Sequence, residues 1–483
     1  MMRRLASVAI ALLSVIALAL GISAASAVTI AASIAMAPPA AAVPPPIVDP
    51  AVDVPPPDGN PAPAMPMKQN TVCATSAVLA DSQFDTIPAN TAFDVAALHK
   101  FARGDGQVVA VIDSGVAPVS RIGKLRGGGD YIESGDGLND CDHHGTLVAG
   151  IIAAQPSSTD GFVGVAPGAE ILSIRQTSAA FTEDCAGKAE AGCPPGGRVT
   201  EADRSAANLM SLAKSIVHAI NLGATVINLS VTACVDAGTP VDIRALAGAL
   251  YYAYVKDVVV IASAGNIGGQ TCQTNPGYDP ANPSDPRNWD GVRSVSLPSY
   301  FDKLLLSVGG TTLTGDPYVN SMPGPWVGVA APAMNIVSLD PTEPTPGALT
   351  NAALVKGAPI PLNGTSFAAA YVSGLAALIR ELHPDLKARQ VINRIMATAH
   401  TPANGWNNIL GAGVIDPVAA LTSDDIPPGE LVAPGVPSIQ AQPPLQTAAP
   451  DTTGRDYALG AFAITAALLA AALLTVFAFR KNK

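Results

Sequence analysis

The sequence predicts an α/β fold built on a doubly wound, mostly parallel sheet. Two observations carry this. Residues 108–112, from Val108 to Ile112, are apolar without a break, as a strand covered on both faces must be. Residues 202–222 place Leu209, Leu212, Ile216, Val217 and Ile220 on one side of a helix. Segments of these two kinds alternate down the chain. Such alternation builds a parallel sheet whose functional residues gather at the carboxyl ends of the strands.

From the amino terminus, residues 1–27 read as a signal peptide: Arg3 and Arg4 precede an apolar stretch from Leu5 to Ile22, and Ala25-Ser26-Ala27 supplies a cleavage point. An uncleaved anchor is the alternative. Residues 28–71 are thick with proline and read as an extended or disordered tether, unable to build a packed core. The core-forming region is 72–422. Strands are expected at 108–112, 169–175, 225–231 and 258–263. Helices are expected at 144–154, 202–222, 242–255, 365–382 (ended by His383-Pro384) and 386–399. Two long polar loops, 176–199 and 268–301, interrupt them. Residues 423–456 form a second proline-rich linker.

Residues 457–479 carry no charge and read as one C-terminal transmembrane helix, with a buried core helix as the alternative. At ~1.5 Å per residue they can cross a ~30 Å hydrocarbon core. Arg480, Lys481 and Lys483 come directly after, so residues 480–483 are expected in the cytoplasm. The body of the chain is then extracytoplasmic, on the periplasmic side of the cell membrane.

Three motifs carry the chemistry. Asp113 closes the first apolar run in Asp113-Ser114-Gly115. His144 heads a small-residue helix in His144-Gly145-Thr146-Leu147-Val148-Ala149-Gly150. Ser366 stands in Asn363-Gly364-Thr365-Ser366-Phe367-Ala368. Asp, His, Ser is one of the unrelated chain orders in which the hydrolytic triad occurs. A serine hydroxyl needs an adjacent base, and a histidine titrates in the right range to be one. The acid holds the imidazole in one tautomer and stabilises the imidazolium. Ser366, His144 and Asp113 take those roles. Asn266 comes after the apolar run 258–264 and Gly265, and is the candidate side-chain donor to the oxyanion. The Ser366 N–H, at a helix start, is the second donor.

These motifs, in this order, resemble those of the subtilisin-like serine proteases, over residues 93–421. The proline-rich extension, the wording of the His144 motif and the C-terminal apolar run narrow the resemblance to the mycosins. These are membrane-anchored proteases of type VII secretion systems. The resemblance implies a serine endopeptidase that cleaves exported protein or peptide substrates beside the secretion membrane complex. It implies that a peptide adds as a strand beside Leu229, Ser230 and Val231, with Ala262, Ser263 and Ala264 flooring the main specificity pocket. The alternative is a mainly structural component of the complex, with catalysis dispensable for secretion. One feature departs from the wider family: residues 28–71 stand where most subtilisin-like proteases carry a folded inhibitory propeptide.

Six cysteines, none in a Cys-X-X-Cys arrangement, point on an exported chain to disulfides rather than to zinc or free thiols. Cys185 and Cys193 bracket a short polar loop. Cys234 and Cys272 each come after a predicted strand on the catalytic side. Elimination leaves Cys73 with Cys141, and the mycosin resemblance implies that pair too. A net charge of −11 without a basic patch argues against nucleic acid as a partner. No cofactor is expected. The cluster Asp140, Asp142, His143 and His144 is not read as a metal site, because His144 serves the triad and His143 reads as a surface neighbour. No acidic loop is dense enough to assign a structural calcium. Gly127-Gly128-Gly129 lacks the Lys-Ser/Thr of a phosphate loop and reads as a turn.

Overall fold

The computed structural model describes residues 43–188, 190–268, 272–342, 345–403 and 405–424. The predicted signal peptide, most of the linker 423–456, the apolar run 457–479 and the tail 480–483 lie outside them. Among the described residues no helix is long and apolar enough to cross a membrane. The chain divides into a unit Met1–Ala433 and a unit Pro434–Lys483, the second of which is not among the described residues.

Seven strands form the central sheet: β1 (Val108–Asp113), β2 (Leu125–Asp130), β3 (Glu170–Arg175), β4 (Val226–Leu229), β5 (Val259–Ser263), β6 (Leu306–Thr311) and β7 (Val327–Pro332). Their order is β7-β6-β5-β4-β1-β3-β2, and every neighbouring pair is parallel. The sheet is accompanied by the helices α1 (His144–Ala153), α2 (Glu201–Asn221), α3 (Arg244–Val255), α4 (Thr365–Leu382), α5 (Ala388–Ala397) and α6 (Pro417–Thr422). Together they cover both faces. Val109 and Val111 of β1 enter one core with Val148, Ile152, Val372, Leu375 and Val391. Ala110 and Ile112 enter the other with Leu212, Ile216, Leu246 and Leu250. Successive strand residues point to opposite faces, so a strand buried on both sides must be apolar throughout. From β1 the chain builds outward to β3 and β2 on one side, and to β4 through β7 on the other. The crevice at the carboxyl ends of β1 and β4 is therefore the switch point where an α/β sheet places its ligand.

The predicted helices appear with ends shifted by no more than two residues, the ordinary uncertainty of a helix terminus. α2 starts in a capping box: the Thr200 hydroxyl accepts from the Asp203 N–H at 3.2 Å, and Asp203 accepts from the Thr200 N–H at 2.9 Å. The sequence pattern does not predict β2, β6 and β7, and Gly127-Gly128-Gly129, which reads as a turn, lies inside β2. These glycines, with Gly309, Gly310, Gly328 and Pro332, dilute the apolar pattern of the three strands below what a strand needs to be read from sequence. The two predicted loops also carry short strands. Phe181–Glu183 lies in the first, and Ser294–Leu297 in the second pairs with Ala233–Asp236.

The largest departure from expectation is the proline-rich extension. From residue 43 it is not a loose tether but lies stitched along the body. Val43 and Met65 are buried. The Tyr300 hydroxyl donates to the Pro44 carbonyl at 2.7 Å. Asp58 meets His218 at 2.8 Å and accepts from the Asn221 amide at 2.8 Å. Met67–Gln69 pairs antiparallel with Phe181–Glu183, and just beyond the extension Ser76–Ala77 pairs with Ala352–Ala353. The physical reason is that a segment too poor to make its own core can still be held by a surface already made. Proline-rich backbone loses less freedom on docking and leaves its carbonyls free for partners.

Candidate active site

Asp113 is the last residue of β1 and is buried. His144 is the first residue of α1, beyond His143, whose φ of 63° turns the chain into the helix. The two meet: His144 Nδ1 lies 2.7 Å from Asp113 Oδ1. Their approach depends on two glycines. Gly115 has φ +104°, open to glycine and costly for other residues. A Cβ on Gly145 would lie 2.0 Å from the Gly115 carbonyl oxygen, so only glycine lets α1 start this close to the turn after Asp113. His143 is half-buried rather than a free surface neighbour, and its Nδ1 lies 3.0 Å from the Ser76 hydroxyl.

The electrostatics of the pair favour a charged ring. Burial pulls the His144 pKa down. The Asp113 carboxylate, by its charge and its hydrogen bond, with Asp140 and Asp142 behind it, lifts it above the ordinary histidine value. The ring stays about a third exposed, at 34%. The Phe367 ring packs beside it at 5.6 Å between centroids. Asp113 Oδ1 also accepts the Ser114 N–H at 2.7 Å, while buried Oδ2 has no hydrogen-bond partner.

Ser366 lies in the first turn of α4, so its N–H belongs to the set that a helix start leaves without an intrahelical partner. Its hydroxyl does not bond to His144. It donates to the Ser230 carbonyl at 3.1 Å, and the Ser230 hydroxyl donates back to the Ser366 carbonyl at 3.1 Å. Asn228 donates to the Ser230 hydroxyl at 2.8 Å, and Ser373 donates to Asn228 at 2.9 Å. These bonds pin α4 to the end of β4.

Asn266 faces the same turn. Its Oδ1 accepts from the Thr365 N–H at 3.1 Å and from the Thr365 hydroxyl at 3.3 Å. With the oxygen so occupied, the amide is oriented and its NH₂ stays available to donate. The sequence pattern gives Thr365 no role, although it immediately precedes the candidate nucleophile.

The expected peptide-binding residues are placed less simply. The Leu229 side chain is in the core, Ser230 is buried and Val231 is half-buried. Ala262, Ser263 and Ala264 are buried, and the Ser263 carbonyl accepts the Ser299 hydroxyl at 2.7 Å. A cleft of about 410 Å³ opens just beyond, lined by Thr232, Ala233 and Cys234, by Gln176 and Phe181, and by Met65 and Met67 of the extension. Nothing in the sequence pattern marks these as lining residues; Cys234 stands out there only as half of a disulfide. The disulfides are Cys73–Cys141, Cys185–Cys193 and Cys234–Cys272. Two of the three border the site, since Cys141 lies three residues before His144 and Cys234 lines the cleft.

Comparison with known proteins supplies the family. The profile of the subtilase family, Peptidase S8, matches residues 104–413, and the chain belongs to that family. Within it the similarity is to mycosins. Mycosin-1 of Mycobacterium tuberculosis (strain ATCC 25618 / H37Rv) is 48% identical over 401 residues, covering 82% of this chain and 86% of the relative. Mycosin-3 of the same organism is 44% identical over 461 residues, covering 92% and 95%. The solved structure of a serine protease MycP1, an essential component of the type VII (ESX-1) secretion system, superposes with a TM-score of 0.72 at 49% identity, covering 79% of this chain and all of that one. A chain of an intact ESX-5 inner membrane complex superposes at 0.75 with 39% identity, covering 90% and 99%.

Proposed function

We propose that this chain is a serine endopeptidase acting on exported proteins beside a type VII secretion membrane complex. The carrying observation is the Asp113–His144 pair, its acid buried and its base open to the crevice, with Ser366 and Asn266 on the elements that close that crevice. In the reaction, the Ser366 hydroxyl leaves the Ser230 carbonyl and passes its proton to His144 as its oxygen attacks the peptide carbonyl. Catalytic hydrogen bonds often tighten only when substrate is bound. The oxyanion takes donors from the Asn266 amide and the Ser366 N–H. His144 then protonates the departing amine, and water releases the acyl group by the reverse sequence. The peptide lies along Leu229-Ser230-Val231 and on past Thr232 to Cys234, with Ala262-Ser263-Ala264 beneath.

The placement in the cell rests on sequence. Residues 1–27 direct export, 457–479 anchor the chain, and 72–422 with the docked extension form the extracytoplasmic protease. The similarity to a chain of an ESX-5 inner membrane complex supports a second role as part of such an assembly. One comparison tests both roles. Purified Ser366→Ala should lose on the order of a million-fold in peptide hydrolysis while keeping its fold. Near wild-type cleavage would refute the assignment. In cells, a strain lacking the whole chain and a Ser366→Ala strain should differ: secretion lost only in the first shows the structural role, and substrate processing lost in both shows the catalytic one.

A further inference from the structure

Asp140 is buried, with 6% of its surface exposed, and the triad reaction gives it no proton to carry. It lies four residues before His144, and its carboxylate is used on both sides. Oδ1 accepts the Ser114 hydroxyl at 2.8 Å. Oδ2 accepts the Thr146 N–H at 2.8 Å and the Thr146 hydroxyl at 2.6 Å. Ser114 in turn receives the Gly145 N–H at 2.9 Å on its hydroxyl, and gives its own N–H to Asp113 Oδ1, the atom that holds His144. The Thr146 hydroxyl accepts the Ala117 N–H at 2.9 Å. One carboxylate thus ties the turn after Asp113, residues 114–117, to the first turn of α1. Its own backbone is fixed from outside, because the next residue, Cys141, is bonded to Cys73 and accepts the Ala74 N–H at 2.8 Å.

We propose that Asp140 is a positioning residue that sets the Asp113–His144 contact by clamping the strand that carries the acid to the helix that carries the base. This rests on the triad reading of Asp113, His144 and Ser366. Three donors converge on the carboxylate: two hydroxyls and one N–H. An acid fits them and an amide does not. With Asn in its place, an NH₂ would meet either Thr146 or a Ser114 oxygen that already receives Gly145. The charged and titrating groups around the clamp are Asp113 on β1, Asp142 on the same loop, and His144 itself; His143 faces Asp142 and Asp340. Burial pushes the Asp140 carboxyl up to about 6, against the pull of its hydrogen bonds from Thr146 and Ser114.

The test is Asp140→Asn in the full chain, assayed on a peptide across pH. A misplaced base should lower kcat by about 10- to 100-fold with KM little changed. The acid limb of kcat/KM should move down towards the ordinary histidine range, since the Asp140 charge that helps lift the His144 pKa is gone. A merely structural carboxylate would change yield or thermal stability and leave kcat and the Asp113–His144 contact alone; the limb moves in either case, because the Asp140 charge is lost. Ser114→Ala breaks one arm and keeps the charge, so it should lower kcat less. Proton NMR reads the contact directly: in Ser366→Ala protein the downfield His144 Nδ1–H resonance should move or broaden when Asp140→Asn or Ser114→Ala is added. Wild-type kcat and resonance in folded Asp140→Asn would overturn the proposal. If that variant does not fold, a wild-type kcat and an unmoved resonance in Ser114→Ala would overturn it. Hydrolysis surviving Ser366→Ala would instead remove the triad reading, whatever Asp140 does.

Discussion

The two halves of the crevice are prepared to different degrees. On the His144 side the acid and base already touch at 2.7 Å, behind a shell of buried hydrogen bonds. On the Ser366 side the helix and the proposed oxyanion donor, Asn266, are fixed, yet the hydroxyl of the proposed nucleophile is satisfied by the Ser230 carbonyl. The difference teaches where order is needed in advance. Orienting an imidazole requires a rigid fold, whereas a hydroxyl needs only one bond rotation to change partners. The standing cost of readiness therefore falls on β1, α1 and the segment between them.

Three substitutions probe that contrast, in falling order of effect. Asp113→Asn should lower kcat by about ten thousand-fold, because the imidazole loses the partner that fixes its tautomer. It should also remove the lift on the His144 pKa. In the wild type, kcat/KM should fall with acid below a pKa above the ordinary 6.5, since His144 must be neutral to accept a proton. In Asp113→Asn the residual activity should hold to lower pH. The sign for stability is the opposite one: the attraction between charged His144 and Asp113 is fully present below the ordinary histidine pKa and is lost as pH rises through the raised one. A pH–rate profile and a denaturation series check both signs.

Asn266→Ala acts on the half where only the hydroxyl is unready, and should cost about 100- to 1000-fold in kcat at nearly constant KM. An equal effect on KM would mean that the amide binds ground-state substrate instead. The smallest effect on rate belongs to Cys73→Ser. It opens a crosslink spanning 68 residues, so chemical denaturation should show a loss of about 4 kcal/mol in the chain-entropy picture. The activity of the molecules that remain folded should stay within about ten-fold, the Asp140 clamp being intact. A hundred-fold loss of kcat at full folding would make the disulfide part of the positioning machinery.

Asp113, His144, Ser366 and Asn266 can be picked out from sequence because each sits in a short local motif at the end of an element with strong periodicity. The helix of Ser366 is legible residue for residue for the same reason, its apolar run being bounded by Gly364 and Pro384. What escapes notice depends on contacts distant in sequence. Thr365 matters through Asn266, 99 residues earlier. Leu229 reads as a substrate contact, but β4 is covered on both faces and turns that side chain into the core. β6 and β7 are rich in glycine, and their strand character comes from neighbours rather than from their own residues. The extension carries no periodicity, because its order is borrowed from the surface it crosses.

That borrowed order sets a timetable for synthesis. The extension is made first, but its partners are made late. Tyr300, which holds Pro44, comes 256 residues after it, roughly 10–50 s at ~5–20 residues per second. The strand partner of Ser76–Ala77 comes later still, at Ala352–Ala353. During that interval the segment can be held only in part, by Phe181–Glu183 and then by His218. A chain with strong apolar periodicity there would seek early, wrong companions. A run of prolines does not collapse while it waits, so the feature that hides this segment's place in the fold also keeps it free until that place exists.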